Sequence, residues 1–144
     1  FNSDIAKRLL KAETVYKEYE FSVFKQAGEF YNDLPEHLKN EKIIVQGKFD
    51  CAFFESDGAV LIDYKTDKIT DENALVSIYK GQLDIYKSAL EECTGVNVKE
   101  VYLYSFKLGK FINVPKDLNF RRTGFEFRHL KEWFYERKGN ENLF

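Results

Sequence analysis

The chain has 144 residues with 44% hydrophobic, 32% charged and 17% aromatic content, the make-up of one ordinary globular domain. Lys+Arg 22 against Asp+Glu 24 leaves a net charge of −2, so no overall basic footprint marks a nucleic-acid binder, and no run of about 18 apolar residues offers a membrane-spanning helix. The Phe1-Asn2-Ser3-Asp4 start is no signal peptide, and with no Met anywhere the chain reads as part of something longer.

Helical spacing of Ile5, Leu9, Leu10 and Ala12, with Ser3 or Asp4 as cap, predicts a first helix over Asp4 to Lys17. Tyr19 to Phe24 alternates and predicts a strand, with Tyr19, Phe21 and Val23 on one face. Lys25 to Lys42 is polar and reads as a loop with a helical turn at Pro35 to Leu38. Ile43 to Phe54 and Ala59 to Tyr64 are strand-like around Glu55-Ser56-Asp57-Gly58, whose D-G step signals a hairpin. Val60, Leu61 and Ile62 do not alternate, so the second hairpin strand is expected to be buried on both faces. Leu75, Ile78, Tyr79, Leu83, Tyr86, Ala89 and Leu90 predict a helix over Asp71 to Cys93, stopped by Gly95. Val98 to Phe106 and Lys110 to Val114 read as strands around Leu108-Gly109. Pro115 to Thr123 is a basic connector, and Phe125 to Lys138 reads as a final amphipathic helix. The expected fold is therefore α/β, a mixed central sheet flanked by helices. One domain is expected over 1–138, with 139–144 as a tail that resembles a remnant of a protease-cleavage tag. Cys51 and Cys93 are too few for a disulfide framework or structural zinc, and are expected as reduced, buried thiols.

Counting outward from the Asp57-Gly58 turn, Asp50 and Asp63 fall nearly level across the hairpin. Lys65 is two residues beyond Asp63, and positions i and i+2 of a strand share a face. Two carboxylates and an ammonium are thus expected on one side of a sheet. Oxygen ligands of this kind suit Mg²⁺, which takes one or two protein carboxylates plus phosphate. A lysine beside them can hold an attacking water or stabilise developing negative charge. A D-x-K at a strand end is by itself more often a surface ion pair. Asp63, however, ends a buried strand, where an acid needs a partner or a metal.

Gly47-Lys48-Phe49-Asp50, Asp63-Tyr64-Lys65-Thr66 and Gln82-Leu83-Asp84-Ile85-Tyr86 resemble the G-x-x-D, D-Y-K-T and Q-x-x-x-Y motifs of RecB-type nucleases of the PD-(D/E)XK superfamily. The likeness is strongest to the C-terminal nuclease domains of helicase–nuclease subunits in bacterial double-strand-break repair. Val15-Tyr16-Lys17-Glu18-Tyr19-Glu20-Phe21 resembles the family's V-x-R-E-x-P-F segment, and Val101 to Phe106 its late strand, so the likeness runs from about Val15 to Val114. Lys17 and Glu20 depart from the Arg and Pro usual there. The resemblance implies a restriction-endonuclease-like core and a metal-dependent exonuclease acting on DNA through a metal-activated water. It implies Asp50 and Asp63 as ligands of Mg²⁺ or Mn²⁺, joined by the Tyr64 backbone carbonyl, with Lys65 as catalytic lysine. Gln82 and Tyr86 would orient DNA or the active-site water, and Glu18 would either complete the acidic cluster or be a solvated charge. Implied partners are helicase domains of the parent chain and a second helicase–nuclease subunit, in the bacterial cytoplasm and without a membrane.

The family's upstream metal-binding histidine has no counterpart, since His37 and His129 both read as surface residues. That lack favours an alternative, a catalytically incomplete DNA-binding or protein-docking module of the same fold. No G-x-x-x-x-G-K-[ST] occurs, so ATP dependence would belong to the helicase part. Lys116 to Lys138 carries seven Lys/Arg against four acids, a local +3 that reads as a solvated helix face or a phosphate contact.

Overall fold

The computed structural model describes residues 3–31 and 33–116. The expected final helix Phe125–Lys138, most of the basic connector, His129 and the 139–144 tail lie outside the described residues. The described chain divides into two compact units, 26–43 forming one and the flanking segments up to residue 116 the other.

In the larger unit, helix α1 covers Asp4–Lys11, capped by Ser3, whose hydroxyl accepts from the Ala6 N–H at 3.2 Å. Strand β1 follows over Thr14–Gln26, then β2 over Lys42–Glu55, β3 over Gly58–Lys65, helix α2 over Glu72–Thr94, β4 over Val98–Ser105 and β5 over Lys110–Asn113. The five strands lie in the order β1-β2-β3-β4-β5, with β2/β3 and β4/β5 antiparallel and β3/β4 parallel. The expected α/β class with a mixed sheet is what the chain adopts.

The expected first helix is too long at its C-terminal end. Ala12 is already extended (ψ 132°) and Thr14 to Lys17 belong to β1. The run Thr14-Val15-Tyr16 is β-branched and aromatic, and pairing with β2 offers its backbone a ladder that a last helical turn would not. The expected strand face holds at its core positions. Phe21 and Val23 are buried and Phe24 is exposed.

The hairpin forms as expected, but its register, from Glu55↔Gly58 to Cys51↔Ile62, centres the turn on Ser56-Asp57 and not on the Asp57-Gly58 step, with Gly58 already in β3. Gly58 takes φ 148°, and a Cβ there would stand 2.8 Å from the Asn97 carbonyl oxygen. Val60, Leu61 and Ile62 are fully buried, as their unbroken apolar run predicts. One sheet face packs Cys51, Phe53, Val60 and Ile62 with Ile5 of α1. Helix α2 begins on Asp71, whose carboxylate accepts from the Asn73 and Ala74 N–H groups, and ends at Gly95. Leu75, Leu83, Tyr86, Ala89 and Leu90 form its buried stripe. Two expectations fail on this helix. Ile78 is exposed, one residue off the stripe, and Cys93 is exposed in the last turn, whereas Cys51 is buried as expected.

Gly47 shows why the first motif begins with glycine. A Cβ at this position would stand 2.7 Å from Phe21 Cζ and 2.9 Å from Phe21 Cε1. Phe21 has no room to yield, being stacked on Phe49 and set edge-on to Tyr86. Gly47→Ala is therefore expected to lower stability by about 1–3 kcal/mol through overpacking, read as a lower unfolding midpoint. A midpoint equal to wild type would show that the ring moves aside.

In the smaller unit, short 3₁₀ turns at Ala27–Glu29 and Glu36–Leu38 are tied by Ala27 N–H to the Glu41 carbonyl and Gly28 N–H to the Lys39 carbonyl, both at 2.8 Å. The second turn is the one expected after Pro35, and it leaves His37 exposed.

Candidate active site

The C-terminal end of β3 carries Asp63, Tyr64 and Lys65, and β2 brings Asp50 beside it. The ladder pairs stop at Cys51↔Ile62. Past that point Asp50 Oδ2 accepts from the Tyr64 N–H at 2.9 Å, so the aspartate takes over a strand amide that the ladder leaves. Asp63 and Lys65 point to the same face, as strand parity requires. Lys65 Nζ lies 2.5 Å from Asp63 Oδ2.

Asp63 and Lys65 are removed from water here, whereas Asp50 is half-buried and Tyr64 exposed. Asp63 is 2% exposed and Lys65 8%. Burial, with the negative charge of Asp50, pushes the Asp63 carboxyl up to about 6, although the Lys65 ammonium pulls the other way. Asp63 Oδ2 has the lysine within ion-pair distance but no hydrogen-bond donor in line. An acid this buried and this poorly satisfied is costly.

Lys65 is held from three sides. Its ammonium donates to Gln82 Oε1 at 3.1 Å, faces Asp63, and lies 3.8 Å from the centroid of the Tyr79 ring. Gln82 Nε2 donates in turn to the Tyr86 hydroxyl at 2.9 Å. Their spacing of four puts Gln82 and Tyr86 on one helix face, as expected. Periodicity alone would leave Gln82 exposed, yet both side chains are buried, at 6% and 2%. Tyr79 hydroxyl donates to Asp67 Oδ2 at 2.8 Å. Burial and that carboxylate push the Tyr79 phenol above its ordinary range.

The Tyr64 side chain turns to the opposite face, against Tyr104 and Phe106. Burial and the Cys51 thiol push its phenol up to about 12. Its backbone stays at the site, between Asp63 and Lys65.

Glu18 is not gathered with the aspartates. It takes φ 48° within β1, is 76% exposed, and pairs with Lys48 at 3.2 Å. The turned backbone and the nearby ammonium together account for its placement. Among the described residues no three His, Cys, Asp or Glu side chains converge as a metal-binding group. A cavity of about 530 Å³ lies away from this cluster, lined by Arg8, Lys11, Thr14, Phe54 and Glu55 among others. It includes none of the site residues.

Tyr79 and Asp67 are site-adjacent residues that the motifs did not single out. The available signal was helical spacing, since Tyr79, Gln82 and Tyr86 fall three and four apart on α2.

Comparison with known proteins places the chain. No family model matches it. It is 48% identical over 116 residues to an ATP-dependent helicase/nuclease subunit of Clostridium acetobutylicum, covering 79% of this chain and 9% of that one. It is 47% identical over 117 residues to the corresponding subunit of Clostridium novyi, covering 79% and 10%. With that of Alkaliphilus oremlandii the identity is 43% over 116 residues, again 79% and 10%. Among solved structures, SSO0001 covers 96% of this chain and 57% of its own at 13% identity and a TM-score of 0.49, too slight a likeness to assign a fold.

The class defined by these features is an α/β domain in which a buried acid–lysine pair at the end of a central strand meets a half-buried acid from the neighbouring strand. The chain is a homologue of part of AddA, the ATP-dependent helicase/nuclease subunit that each of these relatives represents. It spans about a tenth of the length of the curated relatives it matches. The resemblance read from the motifs is borne out at this level.

Proposed function

We propose that this chain is the metal-dependent nuclease domain of a helicase–nuclease subunit, with a restriction-endonuclease-like PD-(D/E)XK core. It acts as a DNA exonuclease in bacterial double-strand-break repair, in the cytoplasm. Its partners are DNA, the helicase domains of the parent chain and a second helicase–nuclease subunit. The relatives' names include both helicase and nuclease, and the chain matches only about a tenth of each, so the helicase work falls to the rest of the parent protein.

The observation that carries this reading is the buried Asp63, whose charge is disfavoured by burial and by the neighbouring Asp50 and is met by the Lys65 ammonium 2.5 Å from its Oδ2. Such an arrangement suits a cation. The proposed donors are all oxygens, and among the described residues no Cys or His groups with the two aspartates, which favours Mg²⁺ or Mn²⁺ over zinc. Asp50, Asp63 and the Tyr64 carbonyl would hold it. When bound, such an ion lowers the pKa of a coordinated water and offsets charge on the attacked phosphate.

The chain's own side chains do the rest. Lys65 keeps its ammonium beside Asp63, where it can donate to the scissile phosphate or to the attacking water. Gln82 holds the lysine from α2, and Tyr86 holds Gln82. This relay gives the Q-x-x-x-Y motif a task behind the lysine, in addition to any contact with DNA.

Titration calorimetry with Mg²⁺ tests the site. The full-length protein is expected to bind Mg²⁺ at this position, and Asp63→Ala is expected to remove that binding. Equal heats from the two proteins would put the metal elsewhere.

A second reading has one observation in its favour. Among the described residues no third His, Cys, Asp or Glu side chain joins the two aspartates. A site with too few ligands would leave a DNA-binding or protein-docking module of the same fold. Digestion of linear DNA by the full-length protein separates the two readings.

A further inference from the structure

We propose that Tyr79 is a positioning residue of this site: the face of its ring fixes the Lys65 ammonium over Asp63, through a cation–π contact. The proposal rests on the nuclease reading for its rate consequence and on geometry alone for the contact.

Three groups surround the ammonium, and they differ in kind. Asp63 offers charge at 2.5 Å, Gln82 offers a hydrogen bond at 3.1 Å, and Tyr79 offers a ring face at 3.8 Å. The first two leave the ammonium free to slide between its acceptors. The ring closes a third side without accepting a directed bond. A cation so close to a ring face, and so well removed from water, is where this attraction is strongest.

The ring is itself anchored. Its hydroxyl donates to Asp67 at 2.8 Å, on the segment just past β3, and its backbone sits on α2. Tyr79 therefore clamps the end of β3 to the helix that carries Gln82. A lysine confined in this way presents its ammonium to the reacting groups without first having to be ordered. Removing the ring leaves the lysine attached and charged but less well placed. The loss should appear in the chemical step and not in DNA affinity.

The test compares the full-length protein with three variants, Tyr79→Phe, Tyr79→Leu and Tyr79→Met. Phenylalanine keeps the ring and loses only the anchor to Asp67. Leucine and methionine remove the ring face, and methionine is the second ring-free variant should leucine unfold the site. Digestion of linear DNA with Mg²⁺ is expected to show kcat lower by about tenfold in the ring-free variants, with KM unchanged. Tyr79→Phe is expected to stay within about threefold of wild type, since the contact itself survives.

Lysine acylation read by mass spectrometry gives a measure independent of activity. Lys65 should be protected in wild type and Tyr79→Phe, and labelled severalfold faster in the ring-free variants. The proposal is overturned if the ring-free variants cut as fast as wild type. It is also overturned if Tyr79→Phe is as slow as they are, because the hydroxyl would then carry the effect. A raised KM in place of a lowered kcat overturns it as well, by making Tyr79 a DNA contact. Should the wild-type protein cut no DNA, the nuclease reading falls and the labelling decides. Protection lost without the ring supports the placement, and unchanged protection overturns it.

Discussion

Lys65→Ala is expected to abolish DNA cleavage by the full-length protein while leaving DNA binding nearly unchanged; this is the largest effect expected. Losing one preorganised charge at a reacting phosphate costs about 10²–10³ in rate, on the order of 3–4 kcal/mol. A lysine that served only as a surface ion pair would be worth about 0–1 kcal/mol of stability and nothing in rate. The surroundings argue against that lesser role. Lys65 is buried, and three separate groups from two elements surround its ammonium. Some stability at neutral pH should go with the lysine, because buried Asp63 loses its cation, so cleavage is compared below the variant's own unfolding midpoint. The measurement is digestion of linear DNA with Mg²⁺, wild type against variant, with binding followed separately in Ca²⁺. A variant that cuts as fast as wild type removes Lys65 from the chemistry and takes the strongest residue from the nuclease reading.

Asp63→Asn is expected to do two opposite things. It should remove metal binding and cleavage, and it should stabilise the metal-free protein at neutral pH. The sign follows from linkage. The Asp63 carboxyl is raised in the folded chain from 3.8 to about 6, so between those values the folded state holds a proton that the unfolded state has lost. Stability therefore falls as pH rises from about 4 to about 6 and stays lowered above that. Two pH units correspond to roughly 3 kcal/mol. Asparagine stands in for the neutral acid, so it escapes this loss. At pH 7 to 8 without metal the variant should melt above wild type, and near pH 4 the two should converge. Saturating Mg²⁺ should raise the wild-type midpoint and leave that of Asp63→Asn where it was, since only a state that binds the ion is stabilised by it. A variant less stable than wild type at pH 8 would mean that the ionised acid is already well compensated by Lys65. The expected trade, stability given up to keep a charge in a dry site, is common where buried acids serve chemistry.

How much of this was legible in the chain depends on how local the signal is. The hairpin could be read because Glu55-Ser56-Asp57-Gly58 and the flanking apolar runs specify a turn within fifteen residues, although pairing across the strands set its register, centred on Ser56-Asp57, one residue before the Asp57-Gly58 step. Once that register is known, the meeting of Asp50 with Asp63 follows by counting. The common face of Asp63 and Lys65 follows from strand parity alone. Helix α2 announced both its ends, through Asp71 and Gly95, because caps are chemical and not tertiary.

Tertiary structure decided the rest. Thr14 to Lys17 can join a helix or a strand by local preference, and only a neighbouring strand with unpaired backbone groups makes the strand win. Glu18 stands next to a motif, yet a positive φ and the Lys48 ammonium keep it from the aspartates, which no spacing rule reports. Gln82 would be solvated on periodicity and is buried instead, because a lysine from a distant strand offers it a partner. Tyr79 acquires its meaning only when α2 lies beside the end of β3 and its ring comes to rest on Lys65. Sequence by itself thus determined which residues carry charge and which share a strand or helix face, since those follow from backbone period. Which of them lose their water, and which partner each then requires, was decided by packing, since desolvation depends on what covers a residue and not on its neighbours in the chain.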